Sequence, residues 1–121
     1  MNSEEWRAMA ELEYLTDDEK KAVAEIKGHV QHLVGERLKG FYLFGSKARG
    51  DYDVESDIDL AILVDGLDPE TKRRIIDIVV AAEVKHIVVI SSLVLSWEDF
   101  TRLRERERRI ASDIDAEGIP L

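Results

Sequence analysis

Two aspartates lie one residue apart in an otherwise apolar segment. Asp57 and Asp59 begin the run Asp57–Val64, in which all of the remaining residues are isoleucine, leucine, valine or alanine. Side chains at i and i+2 share a face of a β-strand, so we predict that the two carboxylates project from one face and that the opposite face is apolar. Such a pair suits Mg²⁺, which binds one or two protein carboxylates and completes its shell with water and phosphate oxygens.

A glycine–serine turn precedes the acid pair. Gly45 and Ser46 follow the β-prone run Phe41–Phe44, and ten residues separate Ser46 from Asp57. A residue without a Cβ allows backbone N–H groups to approach a phosphate closely, and the Ser46 hydroxyl adds a further donor. A turn that holds phosphates beside acids that hold their metal is typical of a phosphoryl-transfer site.

The pattern Gly45-Ser46, ten residues, Asp57-x-Asp59 resembles the signature of the DNA polymerase beta-like nucleotidyltransferase superfamily. The shortness of the chain and the run Phe-Gly-Ser-Lys-Ala-Arg-Gly resemble the minimal nucleotidyltransferases, many of which are antitoxins encoded beside HEPN-domain toxins. This resemblance implies a Mg²⁺-dependent enzyme that transfers NMP, by expectation AMP from ATP, to a hydroxyl of a HEPN toxin. It also implies that Asp57 and Asp59 are catalytic metal ligands and that Gly45, Ser46 and Arg49 bind the nucleotide.

Two cations lie close to the predicted phosphates. The resemblance favours Arg49 as a phosphate ligand, because family members usually carry a basic residue there. Two roles are open for Lys47. It either contacts a phosphate or is a solvated charge that pairs with a neighbouring acid such as Asp51.

The resemblance further implies a third carboxylate on the strand after the long helix, and this sequence has none there. The segment His86–Ser92 contains no acid. Glu83 precedes it, and Glu98 and Asp99 follow it, but none is a clear substitute. Loss of a general base costs about 10²- to 10⁴-fold in rate. The alternative hypotheses are therefore a weakly active or inactive nucleotidyltransferase fold that neutralises a partner by docking, and a sensor that binds NTP without turnover.

The composition bounds the class of protein. A chain of 121 residues is expected to form one domain, 1–121, with N-terminal helices in 1–35, including a short one over 3–14, and the motif-bearing core in 36–121. It has no cysteine, which excludes disulfides and fits a cytoplasmic protein. No stretch approaches the ~20 apolar residues of a membrane span, and the acidic N-terminus does not resemble a signal peptide. A net charge of −9 argues against independent nucleic-acid binding and is compatible with a nucleotide substrate or a basic protein partner.

The hydrophobic pattern predicts an α/β (α+β) fold in which a mixed sheet is flanked by helices. Thr16 begins a capping box, and apolar residues at helical spacing continue to Gly35, which is well placed to end the helix. Asp68 and Pro69 begin a second helix that is predicted to end near Glu83.

Three strands complete the prediction, over Leu38–Phe44, Asp57–Val64 and His86–Leu95, the last as a strand buried on both faces. Ser96 begins a last helix whose apolar side extends to Ile114 and whose arginine- and glutamate-rich side is either solvated or a partner-docking surface. We expect the site at the sheet edge where the first strand ends and the second begins. Exposed β-edges and the apolar late strand would allow a homodimer.

Overall fold

The computed structural model describes residues 15–45, 57–106, 114 and 118–121. These residues form three α-helices and a four-stranded mixed sheet. In chain order the elements are α1 (Asp17–Val34), a 3-10 turn (Gly35–Arg37), β1 (Leu38–Phe44), β2 (Ile58–Val64), α2 (Pro69–His86), β3 (Ile90–Ser96), α3 (Trp97–Glu105) and β4 (Ile119–Pro120). The predicted α/β (α+β) class with a helix-flanked mixed sheet is confirmed. None of the described helices combines the length and apolar character that crossing a membrane requires.

The sheet has the strand order β3-β2-β1-β4, so β1, which leads into the glycine turn, and β2, which carries Asp59, are neighbours at its centre. β1 and β2 are antiparallel, with Phe44 opposite Asp59, and β2 and β3 are parallel, with Asp59 opposite Ser91. β4 pairs with the outer edge of β1, with Ile119 opposite Leu43. The sequence analysis did not predict β4, because a two-residue strand is too short to show an alternation.

Each helix starts at a polar cap. The Thr16 hydroxyl accepts a hydrogen bond from the backbone N–H of Glu19 at 3.2 Å, and the Glu19 carboxylate accepts one from the N–H of Thr16 at 2.9 Å. This reciprocal pair is the capping box that the sequence predicts. The side chains of Asp68 and Ser96 cap α2 and α3, and so satisfy N–H groups that a first helical turn leaves without partners.

The central strand β2 is buried on both faces. The face that packs against α1 and α2 is wholly apolar and consists of Ile58, Leu60, Ile62 and Val64. On the other face Ala61 and Leu63 pack against Phe100 of α3 and Ile114. Asp59 lies on this second face at the start of the strand and is half-buried. The strand that carries the acid is therefore held rigidly from both sides.

The boundary between α2 and β3 differs from the prediction. α2 continues past Glu83 to His86, and the strand predicted over His86–Leu95 begins only at Ile90. The helix ends at Ile87, whose φ of 53° and ψ of 57° are left-handed. A β-branched residue rarely adopts this conformation, so the run of isoleucine and valine gave no sign of a helix end.

The burial of β3 was also predicted wrongly. Only Ile90 and Val94 are buried, and Ser91 is exposed. The reason is that β3 is the outermost strand at one side of the described sheet, whereas a strand buried on both faces needs neighbours and cover on each side. The last helix was predicted to extend to Ile114, but α3 ends at Glu105 with Arg106 as its C-cap. Residues 107–113 and the predicted helix over residues 3–14 lie outside the described residues.

An ionic cluster joins α1 to the end of α2. Glu25 of α1 accepts a hydrogen bond from Lys85 Nζ at 2.5 Å and lies 3.0 Å from His86 Nε2. The bond from Lys85, followed by that from His86, holds the pKa of Glu25 below its usual value. The ionised form of Glu25 therefore favours the folded state.

We expect Ile62→Ala to lower the free energy of unfolding by about 2–5 kcal/mol, because the side chain is fully buried and its removal leaves a cavity. The control is Gln31→Ala on α1, whose side chain is exposed, and its effect should stay within about 0.5 kcal/mol. Urea denaturation measures both. Equal effects of the two substitutions would contradict the assignment of Ile62 to the core.

The Glu25 cluster predicts a dependence of stability on pH. Because the folded-state pKa of Glu25 is lowered, its contribution is complete above the unfolded-state pKa and is lost as the pH falls through the folded-state pKa. The wild type should therefore be more stable than Glu25→Gln near neutral pH, and the difference should close in acid. Denaturation across a pH series measures it, and Lys85→Met should reduce the difference at neutral pH. A difference that is constant with pH would refute the prediction.

Candidate functional site

The end of β1 lies directly against the start of β2. Phe44 pairs with Asp59 across the antiparallel ladder, and Gly45 is the next residue beyond that pair. A Cβ built on Gly45 would lie 3.1 Å from Cγ of Asp59 and closer still to its Oδ2. Gly45 also has a φ of 74°, which residues with a Cβ rarely adopt. The structure thus brings two of the predicted site residues together, and only glycine fits at the first.

The second acid of the pair lies at the entrance to β2. Asp57 immediately precedes the strand and is exposed, whereas Asp59 is half-buried within it. β2 begins at Ile58 rather than at the predicted Asp57. One carboxylate is therefore accessible from solvent, and the other is fixed on a strand with a packed core on each side.

Three side chains form a row across the sheet on the face that carries Asp59. They are Phe44 of β1, Asp59 of β2 and Ser91 of β3. Ser91 is exposed, and Phe44 is half-buried against the cluster beneath α3. The sequence analysis did not identify Ser91 as the neighbour of Asp59. A strand–helix–strand connection predicts that β3 lies parallel to β2, but not which of its residues pairs with the acid.

β3 contributes no carboxylate to this face. Besides Ser91, its residues there are Leu93 and Leu95, which pack under α3. Within the described residues, moreover, no group of three or more histidine, aspartate or glutamate side chains is arranged to hold a metal ion. The pair Asp57 and Asp59 thus lacks a third acid in the described part of the chain.

The three acids considered as substitutes lie elsewhere. The carboxylate of Glu83 on α2 accepts a hydrogen bond from the backbone N–H of Ile90 at 3.3 Å. Glu98 and Asp99 lie beyond Ser96, the other end of β3, which is five residues and about 16 Å along the strand from Ser91. These positions explain why none of the three completes the acid pair.

The donor set fits a magnesium ion. Two carboxylates one residue apart, with Asp57 open to solvent, match a cation that takes one or two protein oxygens and fills its other positions with water and phosphate oxygens. They do not form a closed cage of protein ligands. Such a set binds metal most strongly when a phosphate-bearing ligand is present.

The remaining predicted ligands, Ser46 and Arg49, lie outside the described residues, as does Lys47 in the same connection. Their roles in holding phosphate stay predictions from the sequence.

Comparison with known proteins is consistent with this geometry. Residues 24–121 match the family model "Polymerase beta, Nucleotidyltransferase". Two proteins of Methanocaldococcus jannaschii are similar in sequence. "Putative protein adenylyltransferase MJ0141" is 37% identical over 73 residues, which are 60% of this chain and 74% of that protein. "Putative protein adenylyltransferase MJ0604" is 39% identical over 85 residues, which are 70% of this chain and 81% of that protein.

Two solved structures share the fold. The crystal structure of a "putative nucleotidyltransferase" from Sulfolobus solfataricus superposes with a TM-score of 0.52 and 18% identity, and covers 99% of this chain and 87% of that one. A crystal structure of a toxin-antitoxin with AMP-PNP has a chain that superposes with a TM-score of 0.51 and 20% identity, over 78% of this chain and 68% of that one.

The contact between Gly45 and Asp59 predicts that alanine substitution destabilises the protein to different extents at two glycines. Both Gly45 and Gly66 have positive φ, at 74° and 61°, so alanine at either position should cost about 1–2 kcal/mol of backbone strain. Only at Gly45 does the added methyl meet another group, because nothing lies within 4 Å of a Cβ at Gly66. We therefore expect Gly45→Ala to lower the free energy of unfolding more than Gly66→Ala. Equal losses in chemical denaturation would rule out the close approach.

Proposed function

This chain belongs to the polymerase beta nucleotidyltransferase family, and from that membership we propose that it is a Mg²⁺-dependent enzyme that transfers AMP from ATP to a hydroxyl of a partner protein. The observation that carries the proposal is the approach of the Gly45 backbone to the Asp59 carboxylate. A phosphate held at the glycine turn would lie beside the acids that hold its metal. The names of the two archaeal relatives, both "Putative protein adenylyltransferase", support protein as the acceptor.

Each residue has a distinct part in this proposal. Gly45 allows backbone N–H groups to reach the phosphates, and Ser46 and Arg49 add a hydroxyl and a cation. Asp57 and Asp59 would hold Mg²⁺, which when bound neutralises charge on the phosphate oxygens. Asp59 is already fixed by the packing of β2, so it loses little conformational entropy when the nucleotide binds.

The reaction is an in-line displacement at the α-phosphorus of ATP. The acceptor hydroxyl oxygen forms a bond to that phosphorus while the bond to the bridging oxygen of the β-phosphate breaks. Pyrophosphate leaves with the electron pair of the broken bond. The proton of the hydroxyl passes to solvent or to a carboxylate of the acid pair. The product is the AMP ester of the acceptor.

The proposed acceptor is a tyrosine of a HEPN-domain toxin, which makes this chain an antitoxin. Support for this finer assignment comes from the family resemblance and from a fold neighbour that is a toxin-antitoxin with AMP-PNP. The net charge of −9 favours a partner with a basic surface over a nucleic acid. A cytoplasmic setting stays a prediction from the cysteine-free sequence.

Titration calorimetry with ATP, followed by a transfer assay, tests the proposal. We expect ATP to bind in the presence of Mg²⁺ and to bind weakly without it. Asp57→Asn and Asp59→Asn should each weaken binding by at least about tenfold, since a charge-assisted contact to the metal–phosphate complex is lost. If a HEPN-domain protein is encoded beside this chain, incubation of the two with Mg²⁺ and labelled ATP should label the HEPN-domain protein.

The matched control is Asp65→Asn, an exposed aspartate just past the far end of β2, which should leave binding unchanged. Binding that does not depend on Mg²⁺, or that Asp65→Asn lowers as much as Asp59→Asn does, would contradict the site. Nucleotide binding without transfer of any of the four nucleotides would contradict the enzyme.

A second function is favoured by one specific observation. Ser91, not an acid, lies beside Asp59, and the described residues contain no three-acid cluster. A domain of low catalytic power could instead neutralise its partner by docking. In that case the double substitution Asp57→Ala, Asp59→Ala would leave neutralisation of the toxin intact, whereas the enzyme requires that neutralisation be lost.

A further inference from the structure

α2 carries a stripe of apolar side chains that face solvent. The stripe consists of Ile76 (39% exposed), Val80 (49%), Val84 (75%) and Ile87 (91%). Val89 (61% exposed), just before β3, is a further exposed apolar residue. The spacings of four, four and three residues place the first four on one side of the helix. Single exposed apolar residues are normal on a monomer, whereas four on one side of a helix indicate an interaction surface.

The stripe borders the edge of the sheet. α2 packs against β3 and α1, and its side toward α1 is formed by a different set of residues, Asp77, Ile78, Ala81 and Lys85, which line the groove between the two helices. On the opposite side of α2, Glu83 reaches the backbone N–H of Ile90 at the start of β3. The apolar stripe and the outer edge of β3 therefore form one continuous surface, which we call the α2–β3 surface.

The edge of β3 lacks the usual protection against pairing. Natural edge strands are shortened or carry lysine, proline or inward-pointing charge, but β3 runs for seven residues, Ile-Ser-Ser-Leu-Val-Leu-Ser, with no charged residue and no proline. In the described sheet no strand lies beyond it. Within the described residues, the outward backbone groups of β3 therefore have no neighbouring strand to pair with.

The pattern of hydrogen bonds shows which groups are available. The N–H of Ile58 donates to the carbonyl of Val89, so Val89 and every second residue after it direct their backbone groups toward β2. Ile90, Ser92 and Val94 direct theirs outward. Glu83 already accepts the N–H of Ile90, which leaves the backbone groups of Ser92 and Val94 facing outward at the middle of the edge.

We propose that a second copy of this chain docks on the α2–β3 surface and forms a two-fold dimer with a continuous sheet. Antiparallel pairing of two β3 strands about Leu93 places Ser92 of each copy opposite Val94 of the other, and these residues then exchange N–H···O bonds. The same rotation sets the two α2 helices antiparallel, so their apolar stripes meet. A foreign peptide strand would satisfy the edge but leave the stripe in water.

The surface itself carries no charge that would oppose a second copy. The chain carries a net charge of −9, yet the stripe and β3 are uncharged. Two copies can therefore meet at this surface without placing like charges in contact, although the rest of the chain repels them at long range. The dimer also brings the partner strand beside Ser91 and so closes the open side of the row that contains Asp59.

Sedimentation equilibrium of the purified chain tests the dimer, independently of any nucleotide. We expect a mass of twice 13.8 kDa at micromolar concentration. Val80→Asp should raise the dissociation constant by about tenfold or more, because it puts a charge in the centre of the stripe. Ser92→Pro should do the same, because it removes an outward N–H from the edge strand without removing a bond to β2.

Each variant has a matched control. Gln31→Asp adds the same charge at an exposed position on α1, and Ser92→Ala removes the hydroxyl but keeps the backbone N–H, so both should remain dimeric. Circular dichroism and thermal unfolding check that all four variants fold. A monomeric wild type would overturn the proposal and leave the surface to a different protein. A dimer that survives both Val80→Asp and Ser92→Pro would place the interface elsewhere and overturn it too.

Discussion

The close approach of Gly45 to Asp59 is the constraint on which the rest of the site depends. The antiparallel register that sets Phe44 opposite Asp59 brings the end of β1 so near the carboxylate that a single methyl group would collide with it. A shift of one residue would turn Asp59 toward the apolar face covered by α1 and α2. The register is therefore fixed by the core, and through it the distance between the glycine turn and the Asp59 carboxylate.

The packing of β2 explains why one of the two acids, Asp59, is held rigidly. Apolar residues fill both faces of the strand as far as Asp59, so the carboxylate stands on a backbone that cannot easily move. Asp57, by contrast, is exposed one step before the strand begins. One fixed and one accessible acid is a suitable arrangement for a metal that arrives together with its nucleotide, because the accessible acid can adjust to the ligand while the fixed one defines its position.

The position of β3 at the edge has two consequences. Ser91 stands beside Asp59 where an additional acid could have supplied a further ligand or base, so the candidate site has two carboxylates in the described part of the chain. The same edge, with the apolar stripe of α2 above it, presents backbone groups and side chains for pairing. The proposed catalysis and the proposed dimer therefore both involve β3, and a partner on its edge would border the row that contains Asp59.

Much of this structure could be predicted from the sequence alone, because it depends on interactions between residues that are close in the chain. The capping box at Thr16, the polar caps of the later helices and the period-two alternation around Asp59 act over a few residues, and each was predictable. The glycine turn and acid pair indicated the family by their spacing. Tertiary packing decided the rest. The left-handed helix end at Ile87, the edge position of β3, the pairing of β4 with β1 and the placement of Ser91 beside Asp59 depend on contacts between distant parts of the chain. A periodic pattern reports which face of a strand is buried, but not which strand lies next to it or in which register, because those are fixed by the packing of the whole core.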